Sequence, residues 1–233
     1  MIDFKKNLAF TLAETLIVMS IIGVVAALTI PNLNQATGEK EKVARVKKLY
    51  SNLEDAIGRT EAIYGALSEW DSSNLTGAVL EGRMVDFIKH SKECAANTPS
   101  GCFSSNSVNP FASGGTSVDI ASNGGYFVTA DGSSVGVVGS GDLVVYIDID
   151  GPSKGTNKLG EDIFQFYLNS GNDYLLTPAG RGSYDSNLSA CISDSNCTAW
   201  VVDYDNMDYK KLGTDGKCPD GSTVLNASKT SCK

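Results

Sequence analysis

The side chains best suited to chemistry in this sequence lie in an acidic loop, residues 148–162. The loop reads DIDGPSKGTNKLGED and carries oxygen donors at Asp148, Asp150, Asn157 and Asp162. Carboxylate and amide oxygens in a glycine-bearing loop suit a hard cation such as calcium. Asp148 and Asp150 share one face of a strand, so Asp150, Asn157 and Asp162 are the better-placed ligands when the loop closes. The sequence therefore indicates calcium as a candidate cofactor and gives no sign of another.

The same loop also has a purely structural interpretation. Its spacing departs from that of an EF-hand, because Gly151 comes too early and no glutamate stands at the bidentate position. Asp150-Gly151-Pro152 is typical of a turn that ends a strand, and residues 157–160 carry a second turn signal. On this interpretation the loop only connects two strands.

Six cysteines form the second group of reactive side chains. Because the chain has no CxxC pair and a single histidine, His90, the sequence does not favour a zinc site. An even number of cysteines behind an export-type segment is typical of disulfides formed in an oxidising compartment. Six cysteines allow many pairings. The favoured pairs each bracket a short, turn-rich stretch, and they are Cys94–Cys102, Cys191–Cys197 and Cys218–Cys232.

Groups for acid–base or nucleophilic catalysis are scarce. His90 is the only side chain that titrates near neutral pH without perturbation, and we expect it to be solvated at the end of a helix. The sequence contains no nucleotide-binding loop, serine-hydrolase elbow or HExxH motif. The 19 basic and 27 acidic residues give a net charge of −8, which provides no electrostatic footprint for nucleic acid. The sequence therefore predicts neither an enzyme nor a nucleic-acid-binding protein.

A single carboxylate interrupts the apolar N-terminal segment of residues 10–30. As a helix these 21 residues would rise about 31 Å, which matches a bilayer core. Lys5 and Lys6 precede the segment and favour a cytoplasmic N-terminus. Glu14 is the only charged residue within it, and a carboxylate in hydrocarbon costs roughly 2.5 kcal/mol or more unless another group pairs with it. A plain membrane anchor therefore leaves Glu14 unexplained.

A removable secretory signal is a second interpretation of this segment. The basic start, the apolar run and the small residues Val25-Ala26-Ala27 fit that class, with Leu28 as the first mature residue. This interpretation also gives Glu14 no role. A protein released or anchored in this way would be a monomeric extracytoplasmic binding or adhesion domain.

A third interpretation comes from a resemblance to a known family. Residues 9–14, AFTLAE, followed by Pro31, resemble the processing segment of type IV pilins and type II secretion pseudopilins. The resemblance implies that a leader of residues 1–9 is cut between Ala9 and Phe10, and that the new amine of Phe10 is methylated. The sequence departs from the family at Ala9, where glycine is usual. Prepilin peptidase/methyltransferase, the membrane and other filament subunits are the implied partners.

In this family the apolar segment is retained and its glutamate acts in assembly. The resemblance assigns Glu14 to an ion pair with the Phe10 amine of a neighbouring subunit, because in an apolar bundle the pair is favoured over either charge alone. It implies that Pro31 bends the helix, and that Cys218 and Cys232 close a surface loop. It also implies a subunit held in the inner membrane with its head outside the cytoplasm, and then a filament in the periplasm or at the cell surface.

The elements that must position these groups are predicted from hydrophobic spacing. Apolar residues recur at three- and four-residue steps from Val43 to Ile63, which predicts an amphipathic helix that continues to Tyr64 and ends at Gly65. Alternating apolar runs and turn signals predict the later elements. They are a short helix at 84–92 and strands at 126–130, 135–138, 142–150 and 163–168. The polar residues 191–232 are expected to add little to the core.

Together these elements predict an α+β, pilin-like fold, in which a long N-terminal α-helix packs on an antiparallel β-sheet head. The expected organisation has four parts. They are a leader at 1–9, a transmembrane or filament-core half of the helix at 10–30, an amphipathic half at 31–66, and a disulfide-bonded β-rich head at 67–233.

Overall fold

The computed structural model describes residues 12–71, 74–110, 117–155, 157–182, 188–193 and 197–232, apart from the side chains of residues 29–37 and 189–190. The chain divides into two compact units, Met1–Lys40 and Glu41–Lys233. The described part of the first unit is helical, and the second unit contains the sheet and the disulfides. The four-part organisation expected from the sequence stays a prediction.

Helix α1 spans Leu12–Tyr64 and ends where the sequence indicates. The amide of Gly65 donates a hydrogen bond to the carbonyl oxygen of Glu61 at 2.9 Å. Gly65 has a φ of +86°, a left-handed conformation that glycine adopts readily at a helix C-terminus. Pro31 lies within α1, and the bend expected at that residue stays a prediction.

The later part of α1 buries one apolar face in the head. Val46, Leu49, Leu53 and Ala56 are at most 2% exposed, as the three- and four-residue spacing predicts. The prediction is wrong at Ile63, which is 64% exposed. The last fully buried position of this face is Thr60, whose hydroxyl donates to the carbonyl oxygen of Ala56 at 2.8 Å and so needs no partner outside the helix.

Three lysines of α1 pair with carboxylates of the head. The pairs join side chains that are distant in sequence and bridge the helix to three parts of the head, although exposed pairs of this kind each contribute little stability. They are Lys42–Asp150 at 3.3 Å, Lys47–Asp205 at 2.5 Å and Lys48–Asp131 at 2.9 Å.

The head contains short helices and nine strands among its described residues. The helices are α2 Gly77–Met84, α3 Ser189–Ser193 and α4 Thr198–Tyr204. Single 3-10 turns lie at Leu67–Glu69, Val85–Phe87, Ser170–Asn172 and Asp208–Lys211. The strands are β1 His90–Cys94, β2 Ser107–Pro110, β3 Val118–Asp119, β4 Gly125–Thr129, β5 Ser134–Ser140, β6 Asp142–Asp148, β7 Lys158–Leu159, β8 Ile163–Leu168 and β9 Thr177–Pro178.

The strands form one sheet in the order β1-β4-β5-β6-β8-β7-β2-β3, and β9 pairs with β8. The central pairs β4–β5, β5–β6 and β6–β8 are antiparallel, whereas the short pairs β2–β7 and β7–β8 are parallel. The predicted α+β, pilin-like class is confirmed, with a mixed sheet where the sequence predicts an antiparallel one.

The central strands coincide with the alternating runs in the sequence. Strand β8 has the predicted bounds, and β4, β5 and β6 differ from theirs by one or two residues. The helix predicted at 84–92 is wrong, because α2 ends at Met84 and β1 pairs with β4. The polar residues Ser91–Glu93 offer a helix no apolar face to bury, whereas a strand there supplies backbone partners to the edge of β4.

The two faces of the sheet belong to two cores. Val145 and Ile147 of β6 pack in a main core with the apolar face of α1, whereas Tyr146 packs in a second core on the other face. This alternation follows from the two-residue period of a strand. The main core also includes Trp200 and Tyr209 of the C-terminal part, which are 0% and 2% exposed. The expectation that residues 191–232 add little to the core is therefore wrong.

Candidate functional site

The first candidate site is the N-terminal segment that the resemblance singles out. Glu14 lies in helix α1, close to Leu12, the first described residue of that helix. Glu14 is solvent-exposed in the isolated chain. Ala9 and Phe10, the predicted cleavage and methylation residues, lie outside the described residues, so their roles stay predictions.

The helix on both sides of Glu14 exposes an apolar surface to solvent. Consecutive large apolar residues cover every side of a helix rather than one stripe, and a continuous apolar surface of this kind indicates an interaction site. The exposed side chains, each at 52–78%, are Leu12, Leu16, Ile17, Val18, Met19, Ile21, Ile22, Val24, Val25 and Leu28.

A membrane span is not found in the described part of the chain, where no helical stretch is both long and apolar enough to cross a bilayer. The predicted segment 10–30 begins before Leu12, the first described residue, and its assignment stays a prediction.

The second candidate site is the acidic loop between β6 and β8, in which Asp148 is completely buried. Its Oδ1 accepts hydrogen bonds from the amides of Asp150 and Gly151 at 3.1 and 3.0 Å, while its Oδ2 is buried without a hydrogen-bond partner. Burial, with the nearby charges of Asp162 and Asp150, raises the pKa of Asp148 to about 7. The carboxyl group is thus largely protonated below neutral pH.

Asp162 lies at the other end of this loop and organises its backbone. Its carboxylate oxygens accept hydrogen bonds from the amides of Asn157 and Lys158 at 2.9 and 2.6 Å. Asn157 has a φ of +52°, and its side-chain Oδ1 is also buried without a hydrogen-bond partner. A Cβ at Gly155, whose φ is +80°, would overlap Oδ2 of Asp162, so the chain needs glycine at that position.

The four predicted calcium ligands are thus gathered in one loop but have different partners. Asp150 forms an ion pair with Lys42 of α1 at 3.3 Å, a partner that the sequence did not indicate because it lies 108 positions away. Among the described residues, no three His, Cys, Asp or Glu side chains are arranged to hold a metal ion. Any cation here would depend on amide or backbone oxygens as well, and calcium binding stays a prediction.

The cysteines form the pairs favoured from the sequence. The structure joins Cys94–Cys102, Cys191–Cys197 and Cys218–Cys232. The last two pairs lie in the C-terminal part, where they close loops of 6 and 14 residues beside the main core. Each bridge can stabilise the fold by restricting the unfolded chain.

His90 differs from its expected setting, because it begins strand β1 and is partly buried. Its Nε2 lies 2.9 Å from Oε1 of Glu93, and its Nδ1 lies 2.9 Å from the carbonyl oxygen of Ile88. Close by, burial and the charge of Glu93 raise the pKa of Glu81 to about 7. Glu81 follows no recognisable sequence signal, since it is buried by the packing of α2 on β4 and β5.

Comparison with known proteins places the N-terminal segment in a recognised class. Residues 4–30 match the family model of the prokaryotic N-terminal methylation motif, which is the signature of the prepilin-type cleavage segment of type IV pilins and pseudopilins. The motif is typical of structural, pilin-type proteins, and it implies processing by prepilin peptidase and membrane-associated assembly. No curated protein and no solved structure matches the chain.

Proposed function

We propose that this chain is a structural subunit, a pilin or pseudopilin, of a type IV pilus-like or type II secretion filament. One observation carries the proposal. The methylation motif over residues 4–30 overlaps the described part of helix α1 from Leu12 onward, includes Glu14 and continues into an apolar, exposed helical surface. An apolar surface of this extent needs a partner, and copies of the same helix provide one in a filament.

The proposed assembly contact joins Glu14 of one subunit to the Phe10 amine of its neighbour. Cleavage between Ala9 and Phe10 creates that amine, and methylation at nitrogen leaves it able to carry a positive charge. Inside an apolar bundle the two charges are stabilised only when they meet. The contact therefore favours one axial register between neighbouring helices.

The head of residues 41–233 completes the proposed subunit. Its three disulfides suit an oxidising compartment outside the cytoplasm. The proposal therefore has the precursor in the inner membrane with its head outside the cytoplasm, and the assembled filament in the periplasm or at the cell surface.

The N-terminus of the mature protein tests this proposal directly. We expect mass spectrometry of the protein from cells with an active prepilin peptidase to find Phe10 as the first residue, with a methylated amine. In matched cells that lack the peptidase, the chain should retain residues 1–9. A mature start at Leu28 would instead support signal-peptidase release of a monomeric domain, and would contradict the proposal.

A further inference from the structure

An exposed leucine stands on an unusual turn between β8 and β9. Leu175 is 64% exposed and follows Asp173 and Tyr174, whose φ angles are +48° and +55°. Two successive non-glycine residues in the left-handed region are energetically unfavourable, especially when one is a bulky tyrosine. Such strain persists only where surrounding contacts impose it, and it is concentrated at functional positions.

Hydrogen bonds hold this turn in place, so the backbone at Leu175 has a defined conformation. The amide of Tyr174 donates to the carbonyl oxygen of Asn169 at 3.0 Å. The amide of Leu175 donates to the carbonyl oxygen of Asn172 at 2.9 Å. The hydroxyl of Thr177 donates to the carbonyl oxygen of Leu175 at 3.1 Å, and Tyr174 packs against the main core. The turn therefore presents Leu175 and the exposed carboxylate of Asp173 as a fixed projection, here called the 173–175 tip.

A hollow of about 460 Å³ lies elsewhere on the head, between α1, the segment before β1, and the β4–β5 turn. Its apolar lining includes Leu49, Phe87 and Ile88, and Lys89 lies at the same site. Leu49 and Ile88 are buried, while Phe87 is partly exposed. The hollow thus offers an apolar surface beside an ammonium group.

Lys89 is the charged side chain of this hollow that is available to bind a partner. The two carboxylates of the lining are already neutralised, since Asp131 pairs with Lys48 at 2.9 Å and Asp55 pairs with Arg59 at 2.9 Å. Within the described part of the chain, neither Lys89 nor Asp173 of the tip forms an ion pair. The hollow and the tip are therefore complementary in both polarity and charge.

The tip and the hollow flank α1 on opposite sides of its buried face. At about 100° per residue, Lys48 and Asn52 lie on one side of that face, and both line the hollow. Tyr50 lies on the other side, where its hydroxyl donates to the carbonyl oxygen of Leu176 at 3.1 Å, next to the tip. A projection on one flank and a recess on the other cannot meet within one head, but they can join successive heads.

We propose that the 173–175 tip of one copy docks in the hollow of the next copy, with Leu175 against Phe87 and Asp173 paired with Lys89. The contact uses two different surfaces, so it is heterologous and repeats from subunit to subunit instead of closing a symmetric dimer. This is the interface type that an open helical array requires. The inference rests on the proposed filament and names the surfaces through which its heads meet.

Zero-length cross-linking of wild-type filaments tests the contact without a mutation. Filaments grown from a mixture of ordinary and nitrogen-15-labelled full-length subunits would be treated with a carbodiimide, which joins a lysine amine to a carboxylate only when the two touch. We expect a peptide pair that joins Lys89 to Asp173 and combines one labelled with one unlabelled partner. Filaments that form but yield no such mixed pair would overturn the contact and leave the proposed function intact.

Charge exchange provides a second test. In the full chain, Lys89→Glu alone and Asp173→Lys alone should each reduce filament yield, and the two together should restore it. Leu175→Ala should weaken the contact roughly tenfold, because it removes most of a buried leucine side chain. Val224→Ala, an exposed apolar change outside both surfaces, is the matched control and should leave the yield unchanged.

The outcomes separate the two proposals. If the single charge variants assemble like wild type, or if the double variant fails although its melting temperature is unchanged, the contact is wrong. If the wild-type chain keeps residues 1–9 and makes no filament in competent cells, the proposed function is wrong and the contact with it.

Discussion

The two aspartates at the end of β6 show how strongly residue environment decides chemistry. Asp148 is fully buried with one unpartnered oxygen, whereas Asp150, two positions later, is partly exposed and paired with Lys42. The same side chain is therefore largely protonated below neutral pH at one position and half of an ion pair at the other. The difference arises because β6 buries its last residue before the chain turns.

Asp148 should make the stability of the head depend on pH. Its pKa is about 7 in the folded chain against an ordinary value of 3.8, so its stabilising contribution is complete below pH 3.8 and is lost as the pH rises to about 7. The whole loss is at most about 4 kcal/mol. Asp148→Asn keeps an acceptor for the two amides, and its stability relative to wild type should rise across that interval. Chemical denaturation of the full chain at several pH values measures this, with the exposed Asp86→Asn as control.

Calcium binding predicts a further change at the same residue. A cation among Asp148, Asp150, Asn157 and Asp162 would favour the ionised form of Asp148, so calcium at pH 8 should raise the melting temperature relative to a chelator. Asp148→Asn should remove most of that increase. An equal response of wild type and variant would show that calcium binds without Asp148, and no response in either would show that the loop only connects strands.

At the level of elements, the C-terminal part depends on packing and on cross-links together. Trp200 of α4 is fully buried, and its indole nitrogen donates to Oδ1 of Asn206 at 3.0 Å. The amide of Cys232 donates to Oδ2 of Asp208 at 2.7 Å, which ties the end of the disulfide loop to the same region. The segment is polar in composition, yet a few large side chains anchor it to the main core.

Removing the Cys218–Cys232 disulfide should destabilise the head by about 3 kcal/mol, because the bridge restricts a 14-residue loop in the unfolded chain. The double variant Cys218→Ser, Cys232→Ser should show this loss in denaturant unfolding of the full chain. Cys191→Ser with Cys197→Ser is the matched comparison. Its loop spans 6 residues, so about 2 kcal/mol is expected, and a larger loss there would contradict the loop-length argument.

At the scale of the whole molecule, Glu14 is the residue of α1 through which we propose that one subunit contacts the next in the filament. Glu14→Ala should leave insertion into the membrane intact, since it makes the segment more apolar. It should strongly reduce incorporation into filaments, because the Phe10 amine of the neighbour then lacks its partner. Membrane fractionation and filament yield measure the two effects, with Glu39→Ala on the same helix as control. Normal filaments from Glu14→Ala would remove the role given to this carboxylate.

Local pattern predicted much of the fold, and its errors have a common cause. Strand β8 follows from the two-residue hydrophobic period of a strand, and the end of α1 follows from the glycine at position 65. Both signals lie in residues that are neighbours in sequence. The helix expected at 84–92 failed because the edge of β4 supplies partners to β1. The exposure of Ile63 and the burial of Trp200 were missed because burial depends on residues distant in sequence.

The sequence by itself determined the N-terminal methylation motif, the amphipathic helix, the central strands and the local pairs of cysteines. Each of these is written in residues close together along the chain. Only the tertiary structure decided that Asp148 is buried while Asp150 meets Lys42, and that Leu175 and Lys89 lie on opposite flanks of α1. Burial, ion pairing and surface complementarity depend on residues that are distant in sequence and come together only on folding. No short stretch of sequence can therefore predict them.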